Sequence, residues 1–372
     1  MRICMIAPYF SFKEGEVTGG GVPHAVYYLS EALAALGNEV SVLCQAGEGG
    51  EVPKSLGFRV LRGRGSFGGT MMSLPVRDEF DVYHAHFSKG IRMELASMAF
   101  RRKSKVAAHV HYTPSKRVGL ISRSRCFYRL ANVVITPSAQ NRARLVQSHS
   151  LAKNRVKVLP NGVDCSKFRY SSDLADSTKA QLGVEGKRVV LFVGHYAAPS
   201  KGTIFMVTAA RKVVSEFPDT VFLFVGHGPE DKVEHDYMER VESLVGGSNL
   251  RGNVRFLETI PHSRLPAVYS AADVFVQPSL RESFGMPAVE AMACSRPVVV
   301  TSVGAAPEAI ESGVNGYLVK PGDADGIANC VIRILESGQS SRIIGQRARE
   351  TASARFAWES VAANLLGIYA AS

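Results

Sequence analysis

Short apolar runs separated by longer stretches of helical periodicity set the organisation of this chain. Residues 2–8 form a continuous apolar run, the pattern of a strand covered on both faces. Gly19-Gly20-Gly21 follows, and residues 22–36 carry apolar side chains at helical spacing, with Gly37 as a stop. Residues 39–44, 58–61, 81–85, 105–110 and 133–136 read as further strands. A strand over 156–159 closes the series before the turn Pro160-Asn161-Gly162. The pattern then restarts. Residues 188–193 are an apolar strand ending at Gly194, 203–217 a helix, and 220–225 a strand ending in Gly226-His227-Gly228-Pro229. Shorter strands are predicted over 254–257, 274–277, 297–301 and 316–319, with helices between them.

Two runs of strand–helix alternation imply an α/β protein with two Rossmann-like parallel-sheet domains. A length of 372 residues suits two domains. The boundary is placed near residues 164–168, giving a first domain over 1–165 and a second over 166–355. Ligands of such sheets bind beyond the carboxyl ends of the strands. Two such domains facing each other would put the site in the cleft between them.

Composition adds limits. Hydrophobic residues make up 46% of the chain, enough for a substantial core, and no apolar run reaches the roughly 18 residues that span a bilayer. The first residues lack the charged start and small-residue cleavage site of a secretory leader. The cysteines, Cys4, Cys44, Cys126, Cys165, Cys294 and Cys330, form no Cys-x-x-Cys pair, which fits a reduced cytoplasm and argues against a zinc site. Charge is one-sided. Residues 1–165 hold 23 Lys+Arg against 11 Asp+Glu, whereas residues 166–372 hold 21 against 22. Residues 95–163 contain 14 basic side chains and no acid. Such a half either attracts polyanions or an anionic membrane, or is simply a solvated basic face.

The chemistry concentrates in Arg281-Glu282-Ser283-Phe284-Gly285-Met286-Pro287-Ala288-Val289-Glu290. This segment follows a strand and opens a helix. Pro287 suits the first helical turn, and Gly285 lets backbone approach a ligand. The first N–H groups of that helix favour an anion, while Glu282 and Glu290 flank them. Carboxylates beside a phosphate site make sense if they hold sugar hydroxyls. Lys201-Gly202-Thr203 is a second helix start and would bring a point charge to the same phosphate site. The Gly19–Gly21 loop is a third, from the first domain. Each alone is weak; their convergence is strong.

Carried by these residues, the chain resembles the retaining family-4 glycosyltransferases of the GT-B fold almost end to end. Residues 278–322, with the paired glutamates and Pro307-Glu308, carry the most specific part. Pro160-Asn161-Gly162-Val163-Asp164 resembles the family's junction motif, and Phe356-Ala357-Trp358 its closing helix, so that residues from about 356 to 372 rejoin the first domain. The resemblance implies that Glu282 contacts donor-sugar hydroxyls and that Phe284, Gly285 and Met286 offer backbone N–H groups. It places Glu290 on the ribose and Lys201 on the diphosphate. Gly20 would let the first-domain loop close over the donor, and His111 would lie near the sugar and leaving phosphate. The turn 226–229 and the stretch around Thr259 would lie near the nucleoside. One departure stands out: the family has arginine after the Gly194 position, and this chain has His195, which is expected to contact the diphosphate in its place.

The implied reaction is transfer from a nucleotide-diphosphate sugar, with uridine the expected base and guanosine (mannose) next, to a hydroxyl acceptor. That acceptor could be lipid-linked or a glycan of the cell envelope. Retention is expected, with the donor phosphate taking the acceptor proton, and no metal or other cofactor. Asp323-Ala324-Asp325 has a metal-binding form but reads better as a helix cap. Gly63-x-Gly65-x-x-Gly68 mimics a dinucleotide fingerprint without a following helix. His84 and His86, at a strand end, either face the acceptor or are structural. Asp273 is read as anchoring the start of a strand. Residues 115–130 mix Lys116, Arg117, Arg123, Arg125 and Arg129 with apolar residues, a pattern for peripheral contact with the inner membrane face or for an ordinary packed helix. A sugar-nucleotide epimerase is the alternative enzyme. A nucleic-acid-binding protein is disfavoured because no recognition motif is present.

Overall fold

The computed structural model describes residues 1–7, 10–13, 16–18, 20–45, 52–63, 80–87, 104–111 and 128–372. The chain divides into two compact units, Met1–Gly162 with Trp358–Ser372, and Val163–Ala357.

In the first unit the strands are β1 (Arg2–Ile6), β2 (Ser11–Lys13), β3 (Glu16–Thr18), β4 (Glu39–Gln45), β5 (Arg59–Gly63), β6 (Val82–Phe87), β7 (Lys105–Val110), β8 (Val133–Thr136) and β9 (Val156–Val158). Helices α1 (Gly21–Ala35) and α2 (Ala139–His149) connect some of them. Seven strands form one parallel sheet in the order β5-β4-β1-β6-β7-β8-β9. The order runs outward in both directions from β1 and β6, so the topological reversal lies between them. The antiparallel hairpin β2–β3 was not anticipated. Its three-residue strands are too short to show a period.

The second unit holds α3 (Ser172–Gln181), β10 (Arg188–Val193), α4 (Thr203–Glu216), β11 (Thr220–Val225), α5 (Lys232–Gly247), β12 (Val254–Leu257), α6 (Leu265–Ala271) and β13 (Val274–Gln277). It continues with α7 (Met286–Ala293), β14 (Val298–Thr301), α8 (Ala306–Ala309), β15 (Tyr317–Val319), α9 (Ala324–Glu336) and α10 (Gly338–Phe356). Its sheet is parallel, in the order β12-β11-β10-β13-β14-β15, and reverses between β10 and β13. The apolar runs are continuous because both faces are covered. Val189, Leu191 and Val193 enter one core, while Val190 and Phe192 enter the other. Truncating a residue such as Phe192 to alanine would cost about 3–5 kcal/mol.

The last helix, α11 (Trp358–Ala370), belongs to the first unit. Trp358 stacks on Tyr28 of α1 at 6.1 Å between ring centroids. The crossing points lie slightly off the sequence-based boundaries. Residues 163–165 and 356–357 belong to the second unit, because Val163 N–H donates to the Phe356 carbonyl at 2.7 Å and bridges Ala357. Arg349 fastens the same stretch, donating to the carbonyls of Phe168 at 2.6 Å, Cys165 at 2.9 Å, and Ala293. Only glycine fits at 162, where a Cβ would lie 2.4 Å from the Trp358 ring.

Candidate active site

The second unit's reversal point brings most of the singled-out residues together. After β10 the chain turns through Pro199–Lys201 into α4, with Gly202 left-handed at φ 73°. A Cβ on Gly202 would sit 2.1 Å from the Pro278 carbonyl oxygen, so glycine lets the loops after β10 and β13 touch backbone to backbone. Leu280 N–H donates to the Ser200 carbonyl across the same contact, at 2.8 Å. The result is that Lys201 Nζ donates to both carboxylate oxygens of Glu282, at 2.8 and 2.9 Å. Both side chains keep partial access to solvent, 27% and 13%.

Gly285, at φ 98°, caps α7, with Pro287 in the first turn. Gly304, also left-handed, packs its backbone on Glu282. Phe284 is buried edge-on against Phe356, and Met286 is half-buried. The starts of α1, α4 and α7 share a feature. Each begins at a glycine (Gly20, Gly202, Gly285) with no side-chain cap, whereas α2, α3, α5 and α9 are capped by Ser138, Ser171, Asp231 and Asp323. Uncapped helix starts leave N–H groups available to an anion.

Glu290 lies on α7 and is buried. Tyr269 O–H donates to its Oε2 at 2.8 Å, and His262 Nε2 lies 3.0 Å from Oε1. His195, just past Gly194, has Nε2 at 3.0 Å from Glu234 Oε2. That carboxylate also accepts from Glu230 N–H at 2.9 Å, and the His227 ring stands edge-on to His195 at 5.8 Å. At the end of β13, Gln277 Oε1 and Ser279 Oγ are buried without a hydrogen-bond partner among the described residues, and the Gln277 amide lies against Gly285.

In the first unit the reversal point is different. Gly20 caps α1 with an ordinary φ of −78° and open space where a Cβ would stand, so no steric demand explains the glycine. His111 is buried, stacks on His109 at 4.0 Å, and shares a 2.9 Å hydrogen bond between its Nε2 and His86 Nδ1. Burial pushes its imidazole down to about 4, so it is neutral at pH 7. His84 and His86 lie inside β6 rather than at its end. Register pairing of His86 with His109 puts all four imidazoles on one face of the sheet. His84 Nδ1 meets the Tyr369 hydroxyl at 2.5 Å. Nitrogens of His84, His86 and His109 lie within 4.8 Å of one another. His84 and His86 stack 8° from parallel with ring centroids 4.4 Å apart.

With this geometry in view, the comparisons decide the family. Residues 19–167 match the model for Glycosyltransferase Family 4, and residues 175–351 that for Glycosyl transferases group 1. A phosphatidyl-myo-inositol mannosyltransferase of Mycolicibacterium smegmatis is 30% identical over 99% of this chain and 93% of its own length. The chain belongs to glycosyltransferase family 4. A D-inositol 3-phosphate glycosyltransferase of Acidothermus cellulolyticus is 27% identical over 99% of this chain and 90% of its own. Among solved structures, sucrose-phosphate synthase from Thermosynechococcus elongatus superposes with a TM-score of 0.81 at 25% identity, over the whole of both chains. The protein is therefore a glycosyltransferase of the GT-B fold.

As a family-4 member it carries features that the sequence reading missed. Glu234, His262, Tyr269 and Gln277 were not singled out. His262 follows a strand end in a strand-to-helix loop, a position that favours ligand contact, and could have been found on that ground. Tyr269 sits in the short, largely buried α6 and gives no such signal. Asp323 Oδ1 accepts from Gly326 N–H at 2.8 Å and caps α9. Asp273 accepts from Val189 N–H at 2.7 Å and anchors the start of β13. Gly63 ends β5, and Gly65 and Gly68 lie outside the described residues. So do Gly19 and, within the basic stretch, residues 115–127. No helix among the described residues is long and apolar enough to cross a membrane.

Proposed function

We propose that this glycosyltransferase moves a hexose from a nucleoside-diphosphate sugar to a polyol hydroxyl, with retention and without a metal ion. One observation carries the reading: the Lys201–Glu282 pair stands where two uncapped glycine helix starts meet. Lys201 and the first N–H groups of α4 and α7 offset the charge that grows on the leaving diphosphate, the preorganised stabilisation that contributes most in such sites. Glu282, released from Lys201 as the diphosphate takes the ammonium, accepts hydrogen bonds from the sugar hydroxyls. Glu290 accepts from the ribose. Phe284, Gly285 and Met286 present backbone to sugar and phosphate, and Gly20 does so from the first unit. His111, neutral, can only hydrogen-bond the sugar or leaving group. The acceptor proton passes to the donor phosphate on the face from which the diphosphate leaves.

The names of the two inositol-directed relatives favour an inositol-type acceptor. The mannosyl transfer in the first name favours guanosine, with mannose, over uridine as the donor base. The basic first half, including residues 115–130, suits peripheral contact with an anionic inner membrane face, where a lipid-linked acceptor would be met. Binding to liposomes that rises with anionic lipid content is the expected result, and indifference to it would remove this part. An epimerase reading would need an acid/base carboxylate pair at the first unit's reversal point. Among the described residues, imidazoles stand there instead.

A thermal-shift screen over UDP, GDP, their sugar nucleotides and nucleoside monophosphates tests the donor claim. A ligand at about 100 times its Kd adds about 2.7 kcal/mol of apparent stability. Nucleoside diphosphates should raise the midpoint well above monophosphates. Equal, negligible shifts from all would reject a diphosphate site. Proton NMR of the product's anomeric signal then reads retention directly.

A further inference from the structure

The Glu290 carboxylate is gripped from two sides by residues of two other elements. Tyr269, on α6, is wholly buried with its ring between Phe168 at 6.0 Å and Phe275 at 5.8 Å. Burial and the neighbouring carboxylate push its hydroxyl well above the ordinary tyrosine range, so it stays a hydrogen-bond donor. His262, in the loop after β12, leans on Phe168 at 5.1 Å. An ionised carboxylate only accepts, so the His262 proton shared with Oε1 sits on Nε2. Such a carboxylate offers about four acceptor directions. Tyr269 uses one on Oε2 and His262 uses one on Oε1, which leaves one on each oxygen.

Two acceptor directions, one per oxygen and fixed in orientation, match two neighbouring hydroxyls better than one. We infer that Tyr269 and His262 are positioning residues that aim Glu290 at a vicinal diol, so that the nucleotide site selects ribonucleotides over 2′-deoxyribonucleotides. This rests on the proposed placement of the ribose at Glu290. Without the two clamps the carboxylate could rotate and satisfy a single hydroxyl as well as a pair. Selectivity would then fall further than affinity for the deoxy form.

The test uses the full-length protein and calorimetric titration of GDP, 2′-deoxy-GDP, UDP and 2′-deoxy-UDP. The variants are Tyr269→Phe, His262→Ala and His262→Gln, with Glu290→Gln as a control. Wild type should prefer the ribo form. Tyr269→Phe and His262→Ala should each weaken binding of the ribo form about tenfold, the scale of one charge-assisted hydrogen bond, and bring the ribo/deoxy ratio toward unity. His262→Gln, which keeps an N–H donor, should recover part of the ratio. In turnover, KM for the sugar nucleotide should rise while kcat changes little. A ratio unchanged in both Tyr269→Phe and His262→Ala overturns the inference. If Glu290→Gln also leaves the ratio unchanged, the ribose reading itself fails. If Glu290→Gln collapses the ratio and the two clamp variants do not, only the positioning role fails. Tyr269→Phe keeps the ring in its packing. Should it nonetheless unfold by circular dichroism, His262→Ala, which removes a side chain at the site's edge, decides the question.

Discussion

The two sheets reverse at corresponding places, between β1 and β6 and between β10 and β13, yet what stands there differs in kind. In the first unit four imidazoles stack in the core. Those of His84, His86 and His109 are held well below the ordinary histidine range by burial and by one another, and burial alone lowers His111. In the second unit three nitrogen-bearing side chains each face a carboxylate: Lys201 with Glu282, His195 with Glu234, and His262 with Glu290. None of those pairs is sealed away from water. The contrast shows two ways of keeping polar groups at the reversal point of a sheet. Burial without acids removes the charge. Pairing within reach of solvent lets Lys201 keep its charge and, under the proposed function, exchange Glu282 for an incoming diphosphate. A fully buried pair could not be exchanged so readily, because breaking it would strand a desolvated charge.

The sharpest way to break this comparison is to remove one member of the exchangeable pair. Lys201→Ala and Glu282→Ala should each lower turnover by about 100-fold or more, the scale seen when one preorganised transition-state contact is lost. Folding should survive, since an ion pair that keeps access to solvent adds little to stability. Steady-state kinetics beside a thermal melt separates the two. Near-normal turnover in both variants would mean that the second reversal point is not where the donor reacts.

The neutral cluster predicts a different response, to acid. For His111 the folded-state value of about 4 lies below the ordinary 6.5. Below pH 6.5 the unfolded chain binds the proton that the folded chain refuses. Stability is therefore fully present above that pH and is lost as pH falls toward about 4. At pH 5 the loss from His111 alone is about 2 kcal/mol, with His84, His86 and His109 acting in the same direction. The chain's single tryptophan, Trp358, lies in the first unit's core and reports its unfolding by fluorescence. Its urea midpoint should drop markedly between pH 7 and pH 5. A midpoint that stays level would show that the imidazoles take up protons in the folded state, and the contrast between the units would vanish.

Much of this was legible in the chain, for physical reasons that also explain the gaps. Continuous apolar runs such as Arg188–Val193 and Thr220–Val225 announce parallel strands buried on both faces, and their bounds match the structure. Gly202 and Gly285 sit just after strands and before helices, so the sequence alone marks them as helix starts. The pairing of Lys201 with Glu282 was not legible, because it depends on a backbone contact between Gly202 and Pro278 across two loops. The clamp on Glu290 was hidden for the same reason: its members come from three elements. The imidazole cluster depends on strand register. His84-x-His86 and His109-x-His111 are visible as alternating pairs, but only the pairing of β6 with β7 puts them on one face. Of the first unit's candidates, the Gly19–Gly21 loop was read from its run of glycines before a helix, whereas the expectation for His111 came from resemblance alone.

The finest probe of the comparison is His195, which stands where the resemblance led to an expectation of arginine. Its Nε2 lies 3.0 Å from Glu234 Oε2, so an incoming diphosphate can take over the N–H that now faces that carboxylate. His195→Ala should raise donor KM about threefold with little change in kcat, the scale of one modest hydrogen bond. His195→Arg, which keeps N–H donors at the same place, should recover most of that loss. Steady-state kinetics of the two variants checks this. A donor KM unchanged in His195→Ala would leave His195 as a partner of Glu234 alone, and a loss that arginine restores would place it with Lys201, among the groups that give way to substrate.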